Sequence, residues 1–312
     1  MANTYRTMRI GRFSAGLNLP LGVVSKLDSY GKEIVQGLPP YAPAAVYAVA
    51  DCENAPADWR RNDEKTQAYV VGVPNGRGMW LDLTSNAHLE NVVAAVVDVQ
   101  GINVLTARPV GDPIHLEQYR RHCPVHGTAL TAERHCADCG FKWPAQNYLF
   151  SDDSHTMWID GFRVRGANGA PTGETRQFLF TDDTRRGVAA NVLGEKRSFD
   201  IKIAFFEGPR RPRPARLSRG MTLESMSFGE KSLGATRGAT RSMEVAAGAL
   251  INQNYGVDAR HVDEYGPLAG MIVLYYVREA DLPSIVGRKA DALQSQGIPV
   301  GNPGGQGGHL IY

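Results

Sequence analysis

The residues best suited to chemistry are two short cysteine and histidine pairs in the middle of the chain. The first pair is Cys123-Pro-Val-His126, the second is Cys136-Ala-Asp-Cys139, and a glycine follows each pair. Two residues separate the members of a pair, so one tight turn can aim both side chains at a single ion. The glycine can adopt the positive φ that brings backbone N–H groups close to the ligand atoms. The pattern predicts that these four side chains bind one metal ion.

Three thiolates and one imidazole match the donor set of a tetrahedral structural zinc site. The segment 113–150 resembles the zinc-ribbon or treble-clef class of metal knuckles, and this resemblance implies a structural Zn²⁺. Iron is the alternative metal, and the absence of a nearby redox motif favours zinc. His122 and His135 flank the two pairs. Either histidine can replace His126 as the fourth ligand, and the sequence leaves this choice open.

An enzymatic interpretation begins from His115-Leu-Glu117, which precedes the second cysteine pair. Zinc nucleobase deaminases have a similar His-x-Glu and Cys-x-x-Cys, in which Zn²⁺ generates hydroxide and the glutamate transfers protons. Here a histidine replaces the proline before the cysteine pair, and the first Cys/His pair would have no role. A metal-dependent hydrolase or deaminase is therefore the third hypothesis, and no catalytic residue is assigned. We predict instead that 113–121 is an exposed helix leading to the metal site.

Composition limits the remaining classes of function. The chain has 312 residues, 43% of them hydrophobic and 21% charged, as in a globular protein with a substantial core. Its formal net charge of +2 gives no global attraction to nucleic acid or to an anionic membrane. Cys52 is the remaining cysteine, so the chain has no disulfide framework, which favours a reducing compartment. No signal peptide or membrane-spanning run is visible, and we expect a cytoplasmic protein without membrane contact.

Hydrophobic patterning predicts mostly strands. The Asn-Gly turn at 75–76 predicts a hairpin between 67–73 and 79–84. The continuous apolar run 92–99 predicts a strand buried on both faces. Alternating patterns predict half-buried antiparallel strands at 162–165, 176–180 and 199–206. A short strand at 45–49, a buried strand at 267–277 and a helix at 282–296, capped by Asp281, complete the predicted elements.

The predicted fold class is α+β and β-rich, with antiparallel or mixed sheets, an inserted zinc-ribbon-like module and a C-terminal helix. Composition divides the chain into five parts. They are an N-terminal β-rich domain (1–112), the zinc-ribbon-like module (113–150), a β-rich middle region (151–208), a Pro/Arg linker (209–220) and a C-terminal α/β region with a Gly-rich tail (221–312).

The predicted linker contains five closely spaced arginines, namely Arg210, Arg211, Arg213, Arg216 and Arg219. On an extended path they could neutralise the phosphates of a nucleic acid. They could equally contact an acidic face of a second subunit. No aromatic residue lies in 207–225 to stack on bases, so the subunit contact is the favoured interpretation.

The leading functional hypothesis combines the metal site with three Gly/Pro-rich arms at 1–40, 208–242 and 297–312. Loose arms of this kind exchange between subunits of an assembly. The sequence therefore predicts a zinc-stabilised structural protein that self-associates into a homo-oligomer or a polymer. A nucleic-acid-binding zinc protein that uses the arginines of 210–219 is the alternative.

Overall fold

The computed structural model describes residues 3–23, 25–37, 39–61, 63–151, 157–165, 171–188, 199–211, 243–253 and 255–287, with only the backbone at 164, 165 and 171–173. Within these ranges the chain forms strands and short helical turns. In chain order the strands are β1 (Thr4–Tyr5), β2 (Thr7–Ile10), β3 (Phe13–Asn18), β4 (Val46–Ala48), β5 (Thr66–Val73), β6 (Gly78–Asp82), β7 (Asn91–Val99), β8 (Ile102–Asn103), β9 (Leu149–Phe150), β10 (Trp158–Ile159), β11 (Gly161–Arg165), β12 (Pro171–Thr181), β13 (Asp200–Arg210), β14 (Glu244–Leu250) and β15 (Leu268–Arg278).

The strands form two sheets. The first is 8-stranded, with the order β1-β4-β5-β15-β13-β7-β8 and with β9 beside β7. The second is 7-stranded, with the order β11-β12-β6-β3-β2, with β10 beside β6 and β14 beside β12. β15 pairs with β5 in parallel, whereas β13 is antiparallel to both of its neighbours. With the short helix α1 (Leu282–Val286), this confirms the predicted β-rich α+β class.

The main core lies between the two sheets, where inward-facing side chains of both interdigitate. Phe205 of β13 stacks on Phe13 of β3 with ring centroids 5.0 Å apart and an interplanar angle of 7°. Phe180 of β12 and Tyr276 of β15 meet at 5.0 Å. Each of these four rings is buried. Burying one aromatic side chain of this size contributes roughly 1.5–3 kcal/mol.

The first sheet is covered on its outer face as well. Trp59 stacks on Tyr275 at 4.3 Å beside α1, and Tyr148 and Tyr265 cover the outward side chains of β7 and β13. The predicted burial of 92–99 on both faces is therefore confirmed. The predicted half-burial of 199–206 is wrong, because β13 is a central strand and even Asp200 is 5% exposed.

The predicted hairpin at 67–84 is also wrong, although both of its strands exist. β5 belongs to the first sheet and β6 to the second, so the chain crosses between sheets at 74–77. Gly76 has the positive φ of +79° that the Asn-Gly signal indicates. Both strands are largely buried and pair with other strands. β5 pairs with β4 and β15, and β6 pairs with β3, β10 and β12.

Both ends of the chain differ from the predictions. The predicted helix 282–296 begins as expected, but α1 ends at Val286, before Gly287 with its φ of +93°, and 288–296 lie outside the described residues. Asp281 makes no side-chain cap and instead forms an ion pair with Arg278 at 2.8 Å. At the other end, residues 4–18 form β1 to β3 rather than a loose arm.

The five predicted parts of the chain contribute to common sheets. β13 and β15, from the ranges 151–208 and 221–312, lie between β5 and β7 of the range 1–112. β13 continues to Arg210, inside the predicted linker. The division into domains stays a prediction. No helix in the described part of the chain is long and apolar enough to cross a bilayer.

Asp98 of β7 carries a buried carboxyl group whose charge the fold disfavours. Its oxygen accepts the Gly101 N–H at 2.6 Å, and Lys202 lies 3.9 Å away. Burial raises the pKa of Asp98 to about 7, Lys202 lowers it and Asp200 raises it. Because the folded-state pKa exceeds the unfolded value, this carboxyl group costs stability as the pH rises from about 4 to about 7.

We expect an Asp98→Asn variant to be more stable than the parent at about pH 8, by roughly 1–3 kcal/mol. The amide keeps an acceptor for Gly101 and removes the buried charge. Below about pH 4 the two proteins should converge, since Asp98 is then protonated. Urea unfolding across this pH range checks the expectation, with the exposed Asp58→Asn as the control. An unchanged pH dependence in Asp98→Asn would contradict it.

Candidate metal centre

The first Cys/His pair sits on a tight, hydrogen-bonded turn. The Gly127 N–H donates to the Cys123 carbonyl at 2.8 Å, and the Cys123 N–H donates to the Thr128 carbonyl at 2.8 Å. Gly127 has a φ of +70°, as the sequence predicts. The turn therefore directs Cys123 and His126 to one side of the loop.

The second pair repeats this local structure. The Gly140 N–H donates to the Cys136 carbonyl at 2.9 Å, the Cys136 N–H donates to the Phe141 carbonyl at 3.2 Å, and Gly140 has a φ of +64°. Short antiparallel bridges flank each turn, His122 with Ala129 and His135 with Lys142. The two turns thus have the same spacing from the first metal-binding residue to the glycine, and the same backbone hydrogen bonds.

The two turns bring four metal-binding atoms together. The donor atoms of Cys123, His126, Cys136 and Cys139 all lie within 4.8 Å of one another. His126 Nδ1 is 3.5 Å from Cys123 Sγ and 3.7 Å from Cys136 Sγ, and the Sγ atoms of Cys123 and Cys139 are 4.0 Å apart. Of the three candidate histidines, His126 is the one in this group. The arrangement can hold a metal ion.

A small apolar cluster supports the site. The Trp143 ring contacts Phe141 at 4.8 Å and Tyr119 at 5.5 Å, both edge to face. Cys123 and Cys136 belong to the same cluster and are each 1% exposed. Phe141 and Trp143, which follow the second pair, are thus buried against the cysteines of both turns.

The surroundings of Cys136 and Cys139 shift the pKa values of their thiol groups. Burial raises the pKa of Cys136, but the N–H groups of Cys139 and Asp138, together with the thiol groups of Cys123 and Cys139, lower it to about 7. Burial raises the pKa of Cys139, and the neighbouring Cys136 adds to this. A thiolate is the form that binds metal, so the second turn favours binding at neutral pH through Cys136.

Arg134 holds the two halves of the metal module, residues 117–147, in place. Its Nε donates to the Trp143 carbonyl at 3.0 Å, and its terminal nitrogen donates to the carbonyls of Tyr119 and Pro144. Arg134 itself has a φ of +67°, which is uncommon for a residue with a side chain. The role of Arg134 is not visible in the sequence, because its acceptors are backbone atoms that the fold brings together.

We expect Arg134→Lys to destabilise the metal module by about 1–3 kcal/mol, because one ammonium group cannot satisfy three diverging carbonyls. The charge and the positive φ are both retained, so the change tests the hydrogen bonds. Thermal unfolding and the resistance of the module to protease measure this loss of stability. Arg121→Lys, at an exposed position of the same module, is the control. Equal effects of the two substitutions would contradict the assignment.

The predicted helix at 113–121 is wrong. This segment is extended, the Asn147 N–H donates to the Glu117 carbonyl at 3.0 Å and the Tyr119 N–H donates to the Ala145 carbonyl at 2.7 Å. It therefore pairs with the end of the metal module instead of leading to it as a helix. His115 and Glu117 are not members of the four-residue donor group.

The two described arginines of the predicted linker are engaged within the protein. Arg210 pairs with Glu90 at 3.2 Å. Arg211 donates from its guanidinium to Ser151 Oγ at 2.5 Å and from its backbone to the Glu90 carbonyl at 2.8 Å. Arg213, Arg216 and Arg219 lie outside the described residues.

Comparison with protein-family models, curated proteins and solved structures finds no match for this chain. The functional interpretation therefore depends on the geometry of the site and of the surface.

Proposed function

We propose that the four-residue donor group binds one structural Zn²⁺. For Zn–S of about 2.3 Å and Zn–N of about 2.0–2.1 Å, a regular tetrahedron separates two sulfurs by about 3.8 Å and a sulfur from a nitrogen by about 3.6 Å. Three of the six separations between donor atoms, at 4.0, 3.5 and 3.7 Å, lie close to these values, and all four atoms lie within 4.8 Å of one another. This agreement is the observation that carries the proposal.

The donor set also argues for a structural role. Catalytic zinc sites use three protein ligands and leave one position for water or substrate. Here the protein supplies all four donors, and two of the cysteines are fully buried. The two turns also match the paired knuckles of a zinc ribbon, which is the finer structural class that we propose. Neither His115 nor Glu117 adds a donor, so a hydrolase or deaminase gains no support.

The proposed role of the protein is self-association, and it is supported by the arm, by which we mean the described residues 19–23, 25–37 and 39–43. The arm lies on the second sheet and carries several large apolar side chains with high exposure. They are Leu21 at 69%, Leu27 at 65%, Tyr30 at 93%, Ile34 at 43%, Val35 at 51% and Tyr41 at 69%. A concentration of exposed apolar groups on one segment indicates an interaction surface.

The arm is fixed rather than merely exposed. The Glu33 carboxylate accepts two bonds from the Arg176 guanidinium, at 2.7 and 3.1 Å, and one from the Leu250 N–H at 3.0 Å. The bond from Arg176 lowers the pKa of Glu33 to about 2 against the opposing effect of burial. Gln36 also bridges to Ile251. A surface held in place by these contacts loses less conformational entropy on binding.

We assign a second copy of the chain as the partner of the arm. The arm presents Lys26 and Lys32 as well as Asp28 beside its apolar groups, so an equivalent surface related by a two-fold axis can be complementary in charge and in hydrophobicity. Arg210 and Arg211 are engaged by Glu90 and Ser151, which gives the nucleic-acid alternative no support from the described residues.

Light scattering of the metal-replete protein tests this proposal. We expect a mass that is a multiple of 34.0 kDa, and a lower mass or unfolding after a strong zinc chelator is added. A 34.0 kDa monomer at all concentrations would reject self-association. An unchanged size and melting curve after complete zinc removal would reject the structural role of the metal.

A further inference from the structure

A polar pocket lies at the edge of the metal module, outside the proposed zinc site. It opens between the loop that follows β8 and the extended segment at 113–119. Its lining includes Asn103, Arg108, His115, Glu117, Tyr119 and Asn147. The pocket brings together a cationic, an anionic, an imidazole and a phenol side chain. Of these, Tyr119 also packs in the cluster that supports the zinc site, and the other three have no role in that site or in the proposed assembly.

The extended segment arranges three of these side chains in a row. Ile114 and Leu116 pack against the outer core of the first sheet. In an extended chain alternate side chains point to opposite sides. The intervening His115, Glu117 and Tyr119 accordingly line the pocket.

The floor of the pocket is held by two buried asparagines. Asn103 Oδ1 accepts the N–H groups of Leu105 and Thr106, at 3.1 and 3.0 Å, and Asn103 Nδ2 donates to the Asn147 carbonyl at 2.8 Å. Asn147 in turn accepts the Glu117 N–H at 2.8 Å. These bonds fix the backbone from which Arg108 and Glu117 extend, so the pocket is formed before any ligand binds.

Arg108 and Glu117 form an ion pair in the lining of the pocket, without a direct hydrogen bond between them. Arg108 Nη1 and Glu117 Oε2 are 3.8 Å apart, and Oε2 accepts the Tyr119 hydroxyl group. The side chains of Arg108 and Glu117 are 37% and 49% exposed. Both groups therefore remain accessible, the guanidinium with its fork of donors and the carboxylate with its second oxygen.

We propose that this pocket binds a small zwitterion of the α-amino-acid class. The carboxylate of the ligand accepts a bidentate pair of bonds from Arg108, and its ammonium group donates to Glu117. A simple anion would be repelled by Glu117 and a simple cation by Arg108, so the pair selects a ligand that carries both charges.

The size of the pocket agrees with this class. Its volume is ≈ 60 Å³. By the same measure of volume, one water molecule needs about 10–15 Å³. It therefore has room for roughly four to six heavy atoms. Glycine and alanine fall in this range, whereas amino acids with long side chains would extend into solvent.

Calorimetric titration of the full-length, unmutated protein tests the proposal with matched probes. We expect glycine and alanine to bind with a Kd of about 5 mM or tighter, a modest affinity for an open site. Acetate, methylammonium and trimethylglycine should bind at least about tenfold more weakly, because each lacks one charge or the N–H donors. Ionic strength is matched with sodium chloride. Equal binding of acetate and glycine, or no binding of glycine at about 50 mM, would overturn the proposal.

Two charge-neutralising variants locate the site. Arg108→Gln and Glu117→Gln should each weaken glycine binding by at least about tenfold. Arg121→Gln and Glu133→Gln, at exposed positions of the metal module, are the matched controls. Unchanged zinc content and melting temperature establish that a variant is folded. If a variant does not fold, the ligand series on the unmutated protein alone tests the proposal. Normal binding by both folded variants would refute the assignment. The titration does not depend on self-association, so the two proposals can fail separately.

Discussion

Cys136→Ser should lose zinc and unfold the metal module. Structural Zn²⁺ contributes an apparent binding free energy of about 10–16 kcal/mol in small zinc domains, and that energy is available for folding only when the ligand set is complete. The module has a small apolar cluster of its own, centred on Tyr119, Phe141 and Trp143, which is too small to hold the fold without the metal. We expect its destabilisation to exceed about 4 kcal/mol.

Zinc content per chain and limited proteolysis of the module measure this effect. Cys52→Ser is the matched control, because Cys52 is also buried, with 1% exposure, but lies in a separate cluster. Its thiol donates to the Ala48 carbonyl at 3.4 Å, and a serine hydroxyl can also donate to this carbonyl. The control should keep its zinc and its protease resistance. If Cys136→Ser retained one zinc per chain and a resistant module, the proposed ligand set would be wrong.

A double substitution in the arm, Leu27→Ser with Tyr30→Ser, should reduce the protein to a 34.0 kDa monomer. These two side chains are 65% and 93% exposed, so removing them costs the isolated chain little. In an interface, a buried anchor of this kind contributes roughly 2 kcal/mol or more. The two changes together should weaken association by more than about a hundredfold.

Sedimentation velocity across a concentration series measures this association. Val257→Ser is the control, since Val257 is 67% exposed and lies outside the arm. It should leave the mass unchanged. An assembly of unaltered size in the double variant would show that the arm is not the interface, and an equal effect of the control would show that the association is unspecific.

The sequence predicted the metal group because its geometry is local. Each turn is complete within six residues, and the glycines at 127 and 140 have the positive φ that the pattern requires. The choice of His126 over His122 and His135 needed the structure, because it depends on how the two turns face each other. The prediction of a helix at 113–121 is wrong, because the alternation of Ile114 and Leu116 with His115 and Glu117 is a strand-like signal.

The pairing of the strands could not be predicted from the sequence. The pattern located most of the strands, since alternation and apolar runs are local properties. It placed β5 and β6 in one hairpin, because a short turn favours pairing of sequence neighbours. Several of the actual partners lie far along the chain. β5 pairs with β15 as well as with its neighbour β4, and β13 begins about 100 residues after β7 ends and pairs with it. The contacts of Arg134 and the Arg108–Glu117 pair are more local, since the partners lie 9 to 15 residues apart, but no periodic pattern in the sequence marks them.

The measurement that most directly tests the central claim is zinc X-ray absorption spectroscopy of the purified protein. The structure predicts a four-coordinate site with three sulfurs at about 2.3 Å and one nitrogen at about 2.0–2.1 Å. Loss of the nitrogen scatterer in His126→Ala, with the sulfurs retained, would identify the fourth ligand. A shell dominated by oxygen or nitrogen, or zinc present in far less than one equivalent per chain, would contradict the structural zinc site.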